Sequence, residues 1–446
     1  MTGPADTLLR DWPLPPGHTA PDLIALQAAH PERYPGLFVG SADSGWDILF
    51  AFPQDTARFD VADGLVALEA HAAMQLQPRT RTPSDDLPFR GGWLCALSYE
   101  LGAWFEPSAG RADDGDNFPV AWLARIPAAI LFDRAGRRCT LMAEAGAGDL
   151  LDRMAADLDA APPAVPSMPP LRSLTEDAPA RFLDGVAQVQ AWIRAGDVFQ
   201  VNLSRGWHAE FADAVPPSAL FARLMQRNPA PFSALVRVDD WAIVSSSPER
   251  LVRLGGDGML ETRPIAGTHP RSADPAEYAA LRARLAAHPK ERAEHVMLVD
   301  LERNDLGRVC VPGSIEVSAL MELASYRHVH HIESTVRGRL RAGARVIDAL
   351  RAVFPGGTIT GCPKVRTMQI IRALEQTPRR SYTGSVGYIN RDGSFDFNIL
   401  IRSFLLRGAG LDFRAGAGIV ADSDAARELD ETRAKARGLL AALDPS

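Results

Sequence analysis

Two stretches of this chain each carry glutamates three residues apart. They are Glu291 and Glu294 in Lys290-Glu291-Arg292-Ala293-Glu294-His295, and Glu428 and Glu431 in Arg427-Glu428-Leu429-Asp430-Glu431-Thr432. On a helix, that spacing sets both carboxylates of a pair on one face. Little positive charge follows to neutralise them: Met297 and Leu298 come a turn after the first pair, and Lys435 alone after the second. A divalent cation is a natural counter-charge. Hard oxygen donors of this kind suit Mg²⁺, which keeps several waters and takes only one or two protein carboxylates. The competing reading is a pair of solvated helix faces.

The elements that must position these acids lie mostly in the C-terminal half. Residues Ser381 to Ile389 read as a strand, Asn390-Arg391-Asp392-Gly393 as a turn, and Phe395 to Phe404 as the returning strand. On the return, Arg402 shares a face with Asp396, Asn398 and Leu400. A buried arginine needs an acid partner or an anionic ligand. A third strand, Leu411 to Arg414, runs into a bend at Ala415-Gly416-Ala417-Gly418, where glycines let backbone amides approach a ligand carboxylate. The helix carrying Glu428 and Glu431 then begins near Asp422 to Asp424. Proline density at 160–170 predicts a break, dividing the chain into an N-terminal subdomain (1–160), a linker (161–178) and a catalytic domain (179–446). Before it, Gly36 to Gly40, Trp46 to Phe52 and Ala128 to Phe132 read as strands, the last joined in a hairpin to Cys139 to Met142. After it, helical stretches at Pro179 to Ala195, Pro275 to Ala287 and Ala344 to Val353 alternate with strands.

Composition removes several function classes. The 446 residues are 46% hydrophobic and 23% charged, as in an ordinary globular protein, and the net charge of -7 argues against nucleic acid as a partner. No apolar run approaches the ~20 residues that span a bilayer, and Met1 to Asp6 lacks a signal-peptide pattern, so a cytoplasmic protein without membrane contact is expected. Cys95, Cys139, Cys310 and Cys362 are scattered singly and read as buried thiols. The loop from Gly357 to Lys364 lacks the Gly-Lys-Ser/Thr of a phosphate cradle. His328-Val329-His330-His331 alternates in direction along a strand and has no further ligands placed to complete a zinc site.

A series of blocks remains. They are Gly196 to Ser204, Ser247-Pro248-Glu249-Arg250, Arg263 to Thr268, Glu291 through Asp305, His331, Phe354 to Thr358, Gly361-Cys362-Pro363-Lys364, Tyr388, Arg402 and Gly416 to Val420. In this order they resemble the chorismate-utilising enzymes, which include anthranilate synthase component I, aminodeoxychorismate synthase component I, isochorismate synthase and salicylate synthase. The likeness covers about 180 to 440, and Phe89-Arg90-Gly91-Gly92-Trp93 with Tyr99-Glu100 extends it more weakly into the first half. It implies an α+β fold of two large packed antiparallel β-sheets with helices outside. It also implies that Glu294 and Glu431 bind Mg²⁺ directly, that Glu291 and Glu428 act through metal-bound water, and that Lys435 holds the carboxylates. Tyr388, Arg402 and the Gly416-Ala417-Gly418 backbone match the clamp on the enolpyruvyl carboxylate, with Gly267 and Thr268 also lining the substrate. Glu249 matches the general acid for the departing ring hydroxyl, Thr358 the group positioning that hydroxyl, and His331 a ring-orienting or proton-transferring residue. Without the resemblance, Glu249 reads as a strand end paired with Arg250.

Two positions separate the family's reactions. Members that add water carry a lysine base where Gln200 stands, so Gln200 points to an amine-transferring member. Ala266 is lysine in many aminodeoxychorismate synthases, where it forms a covalent ring adduct, and alanine in anthranilate synthases. Against Ala266 stands Asn228-Pro229-Ala230-Pro231-Phe232-Ser233-Ala234, which lacks the Asn-Pro-Ser-Pro-Tyr-Met pattern of the anthranilate synthases' tryptophan feedback site. The resemblance therefore implies amination of chorismate to 4-amino-4-deoxychorismate through non-covalent 2-amino-2-deoxyisochorismate, with anthranilate formation as the alternative. No cysteine sits in a Gly-x-Cys-x-Gly elbow, so ammonia is expected from a separate glutamine amidotransferase subunit in a heterodimer. A non-catalytic chorismate-binding homologue is the remaining alternative, although Glu249, Glu294, His331, Arg402 and Glu431 are all retained.

Overall fold

A computed structural model describes residues 7–40, 45–73, 87–112, 115–160, 162–270, 289–325 and 329–444, with backbone alone at 72–73, 266–270, 289–293, 323–325 and 329–331. The expected helix at Pro275 to Ala287 and His328 lie outside these residues.

Two antiparallel sheets form the body. The first runs, edge to edge, through Thr7–Trp12, Arg138–Glu144, Ala128–Asp133, Trp46–Ala51, Gly36–Val39, Phe232–Val238, Trp241–Ser247, Ser403–Arg407, Gly410–Ile419, Gln200–Phe211 and Gly361–Cys362. The second runs through Ile265–Pro270, Val329–Arg339, Met259–Arg263, Arg250–Leu254, Phe395–Asn398, Ser385–Asn390, Gly92–Leu97, Ala121–Ile126 and Thr56–Phe59. Each sheet takes strands from both sides of the proline-rich stretch. The second half of the expected linker 161–178 is not free chain, because Leu171–Glu176 pairs with Gln200–Phe211.

Strand alternation explains how the sheets pack. In Trp46–Ala51, Ile48 and Phe50 point one way, into a core shared with Leu94 and Ala96 of the other sheet. Leu49 and Ala51 point the other way, toward Leu23, Leu26 and Met154 on covering helices. On the far side, Trp93 and Cys95 meet Ile347, Leu350 and Val353 of helix Val346–Val353. Strands buried on both faces give continuous apolar runs, so Gly92–Leu97 is buried at every residue. The result is the expected α+β arrangement of two packed sheets with helices outside.

One expected strand is divided. Phe395–Asn398 belongs to the second sheet and Ser403–Arg407 to the first. Between them the chain crosses from sheet to sheet, and Arg402 takes a left-handed φ of 52°. That conformation breaks the two-residue alternation, so Arg402 does not share a strand face with Asp396 and Asn398. Gly416-Ala417-Gly418 is likewise no bend. It lies inside Gly410–Ile419, with Asn202 opposite Gly418 and Ser204 opposite Gly416.

Candidate active site

The cleft is built where strand Gln200–Phe211 lies between Gly410–Ile419 and the short strand Gly361–Cys362. Gln200 and Asn202 share a face, as do Gly416 and Gly418 across the ladder. A Cβ at Gly418 would come within 2.4 Å of Gln200 Nε2, and one at Gly416 within 2.6 Å of Asn202 Oδ1 and 2.9 Å of the Tyr382 hydroxyl. Glycine at 418 leaves the Gln200 amide its present place, and glycine at 416 leaves room for Asn202, Tyr382 and the Leu203 carbonyl. Ala417 turns the opposite way, into an apolar core with Val201, Leu203 and Ile419. Only its backbone is available to a ligand.

The sheet crossing delivers the second part. Ser246 N–H donates to Arg402 O at 3.0 Å and Ile399 N–H to Glu249 O at 3.0 Å, which ties the crossing segment to the end of Trp241–Ser247. Glu249 is 4% exposed. Burial raises its carboxyl from the ordinary 4.5 to about 7, and the negative charge of Glu333 adds to this; the Thr358 hydroxyl, the Ile265 backbone and Lys435 act the other way. Thr358 stands on the turn Gly357–Ile359. It influences Glu249 without a well-formed hydrogen bond, since Thr358 Oγ1 and Glu249 Oε1 are both buried without a partner. Burial lowers the pKa of Arg402, opposed by the charge of Glu249. No carboxylate pairs with Arg402 among the described residues, so the ion pair that would make it purely structural is not formed there. A partly buried guanidinium of this kind suits an anionic ligand.

A buried ion pair holds these parts in register. Arg379 Nη2 meets Glu375 Oε1 at 2.7 Å, and the same guanidinium donates to Asn202 O at 2.8 Å and Ile359 O at 3.1 Å. It thus joins the strand of Gln200 and Asn202 to the turn of Thr358. Glu375 also accepts from Ser204 N–H at 2.9 Å and Arg414 Nη2 at 3.2 Å. Tyr382 lies beside this pair, with the Arg379 guanidinium 5.4 Å from its ring centre, and burial pushes its phenol up to about 12.

The carboxylates expected to hold Mg²⁺ occupy two helices, Pro289–Gly307 and Ala425–Leu443. Glu428 is buried and accepts from Ser423 Oγ at 2.7 Å. Glu431 is half-exposed and paired with Lys435 Nζ at 2.7 Å, and Lys435 also donates to Gly416 O at 3.0 Å. Lys435 thereby links the helix to the glycine strand. Glu294 is partly buried and has interactions of its own. Among the described residues no group of three or more potential ligands converges, and the side chain of Glu291 lies outside them. The donors are all carboxylate oxygens, which fits Mg²⁺ in chemical type.

Of the other expected residues, Ala266, Gly267, Thr268 and His331 have described backbone only. Ala266 lies opposite Ile332 and Thr268 opposite His331 on paired strands. Tyr388 is not brought to the cleft. Alternation along Ser385–Asn390 turns its ring toward Phe38, Phe50 and Phe89 between the sheets. There it lines a cavity of about 330 Å³ with Arg250, Arg253 and residues Pro231 to Ala234. Gln200, Glu249, Thr358 and Arg402 do not line that cavity. Tyr382, six residues earlier, is the phenol that reaches the cleft; a strand from Ser381 to Ile389 would put it on the face of Tyr388, whereas the observed strand begins only at Ser385. Asn202 is a further cleft residue: it lies opposite Gly418 and two residues from Gln200, and the spacing Gln200-Val201-Asn202 was the only sign of it in the sequence. Cys95, Cys139 and Cys310 are buried thiols as expected, while Cys362 is only partly buried.

A buried acid, a hydroxyl, a partly buried guanidinium and two alternate glycines thus come together between the two sheets, and the family whose model the sequence matches is that of the chorismate binding enzymes. The model of that family matches residues 37–441, and the chain belongs to it. It is 39% identical over 393 residues to aminodeoxychorismate synthase component 1 of Klebsiella aerogenes, covering 87% of this chain and 85% of the relative. It is also 39% identical over 402 residues to anthranilate synthase component 1 of Streptomyces coelicolor, covering 85% and 77%. The solved anthranilate synthase component I of Streptococcus pneumoniae superposes with a TM-score of 0.78 at 30% identity, covering 90% of this chain and 93% of that one. The protein is a chorismate-utilising enzyme. No helix among its described residues is long and apolar enough to cross a membrane.

Proposed function

We propose that the chain aminates chorismate to 4-amino-4-deoxychorismate, using ammonia from a separate glutamine amidotransferase subunit in the cytoplasm. The observation that carries this reading is the pairing of Glu249, buried and with a carboxyl raised to about 7, with an amide side chain at Gln200. A protonated carboxyl can expel a hydroxyl as water, and a site with glutamine in place of a lysine base suits a nucleophile that attacks without losing a proton first.

Arg402, with the backbone of Gly418, holds the enolpyruvyl carboxylate, and Tyr382 takes the place first given to Tyr388. Thr358 orients the ring hydroxyl toward Glu249. The lone pair of ammonia forms a bond to ring carbon two, the ring double bonds shift, and the bond from carbon four to oxygen breaks as Glu249 gives its proton, releasing water. The new ammonium group returns a proton to Glu249. A second ammonia then bonds to carbon four, the double bonds shift back, and the bond from carbon two to nitrogen breaks as Glu249 protonates the first amine, which leaves as ammonia. The new ammonium group at carbon four returns that proton to Glu249. Glu294 and Glu431 would hold Mg²⁺ directly, with Glu291 and Glu428 acting through its waters, and the ion would supply positive charge for the ring carboxylate.

Ala266 favours a second reading, release of pyruvate from the same intermediate to give anthranilate. Incubation with chorismate, Mg²⁺ and ammonium, followed by chromatography with mass detection, separates the two. Aminodeoxychorismate, convertible to p-aminobenzoate by an added lyase, is the expected product. Dominant anthranilate would establish the second reading, and no Mg²⁺-dependent loss of chorismate would indicate a non-catalytic homologue.

A further inference from the structure

Asn202 has no part in the chemistry described so far, yet its side chain is buried in the cleft. Its Nδ2 donates to Thr358 O at 3.3 Å. This contact fixes which end of the amide faces which way, because an amide oxygen turned toward that carbonyl would be repelled. Oδ1 therefore faces away from the carbonyl, and it is buried with no donor. Gln200, two residues earlier on the same face, has a buried Oε1 that also accepts nothing. The two residues are 8% and 6% exposed. Space for them exists only because positions 416 and 418 have no side chain.

A buried amide oxygen left without a donor costs on the order of 1–3 kcal/mol, so this acceptor pair calls for a ligand rich in N–H or O–H groups. Chorismate fits poorly. Its two carboxylates and ether oxygen only accept, and its one hydroxyl is matched by Thr358 and Glu249. Ammonia fits well, with three N–H donors and a lone pair left for attack. We propose that Asn202 Oδ1 acts with Gln200 Oε1 to bind the attacking ammonia, making Asn202 a nucleophile-binding residue of this enzyme. Two N–H groups directed at the two amide oxygens fix the nitrogen beside the substrate ring. The inference rests on the reading of the chain as an ammonia-using chorismate enzyme.

The test is two-substrate kinetics on Asn202→Leu, which keeps the shape and removes the acceptor, and on Gln200→Met for the same reason. Each variant is compared with the unaltered enzyme by thermal melting, then assayed with ammonium varied at saturating chorismate and the reverse. Loss of one buried hydrogen bond raises KM for ammonia about tenfold in each folded variant and leaves KM for chorismate within about twofold. A folded variant with unchanged KM for ammonia, or with the change confined to chorismate, overturns the proposal while leaving the amination reading intact. Failure of the unaltered enzyme to consume chorismate with ammonium sinks both.

Discussion

Replacing Glu249 with glutamine should abolish turnover and, at the same time, make the protein more stable at neutral pH. The carboxyl is raised from the ordinary 4.5 to about 7, chiefly by burial. The folded state therefore binds a proton that the unfolded chain releases, and stability falls as pH rises from about 4.5 to about 7. At about 1.4 kcal/mol for each pH unit of displacement, the ionised carboxylate costs about 3 kcal/mol above pH 7. Below pH 4.5 both forms are protonated and the cost vanishes. Glu249→Gln removes the charge and keeps the shape, so its stability should match the unaltered protein at pH 4.5 and exceed it by up to about 3 kcal/mol at pH 8. Denaturant unfolding of both proteins at several pH values measures this, alongside chorismate consumption. Parallel stability curves would show that Glu249 is not held as a buried acid, and measurable turnover by the variant would remove it as proton donor.

Other consequences follow from the same geometry. His208 bridges Asp177 at 3.4 Å and Asp412 at 2.7 Å, which raise its pKa to about 9. Its stabilisation is complete below the ordinary 6.5 and is lost as pH rises through 9. His208→Ala should therefore lower denaturant stability at pH 6 and leave it unchanged at pH 10, by under about 1 kcal/mol because the group is half-exposed. Arg379→Met leaves buried Glu375 with Arg414 as its remaining counter-charge, and unfolding measurements should show a loss of about 3 kcal/mol, the lower end of the range for a broken buried pair. Gly418→Ala meets only the end of a flexible side chain, Gln200, so melting should change little while turnover falls at least about tenfold. Gly416→Ala also approaches Leu203 O at 2.8 Å and should lower the melting temperature as well. Tyr382→Phe should lower kcat/KM about tenfold, whereas Tyr388→Phe, altered between the sheets, should leave it within about twofold; the reverse order would restore Tyr388 to the substrate clamp.

Much of this architecture was legible because local and long-range signals agree. Gly36–Val39, Trp46–Ala51 and the hairpin of Ala128–Asp133 with Arg138–Glu144 carry apolar runs ended by turn residues, and tertiary packing only confirms them. The two glutamate stretches likewise lie on helices, Pro289–Gly307 and Ala425–Leu443, as their sequences suggest. What escaped depends on a single backbone rotation or on a strand's partner. Phe395 to Phe404 reads as one strand until Arg402 adopts a positive φ, and nothing in its side chain marks that change. Leu171–Glu176 is mostly exposed and bonded on an edge, so its sequence lacks the apolar alternation that identifies a strand. Tyr388 was misplaced for a related reason: the choice of face depends on which sheet lies above the strand, a property of the whole topology.

The most direct test of amination at this cleft is incubation with chorismate, Mg²⁺ and ¹⁵N-ammonium, following the label by nuclear magnetic resonance. The expected result is nitrogen first on ring carbon two and then on carbon four, with the enolpyruvyl group retained. Label remaining on carbon two of an aromatic ring with release of pyruvate would contradict the aminodeoxychorismate assignment, and absence of label from any ring carbon would contradict amination itself.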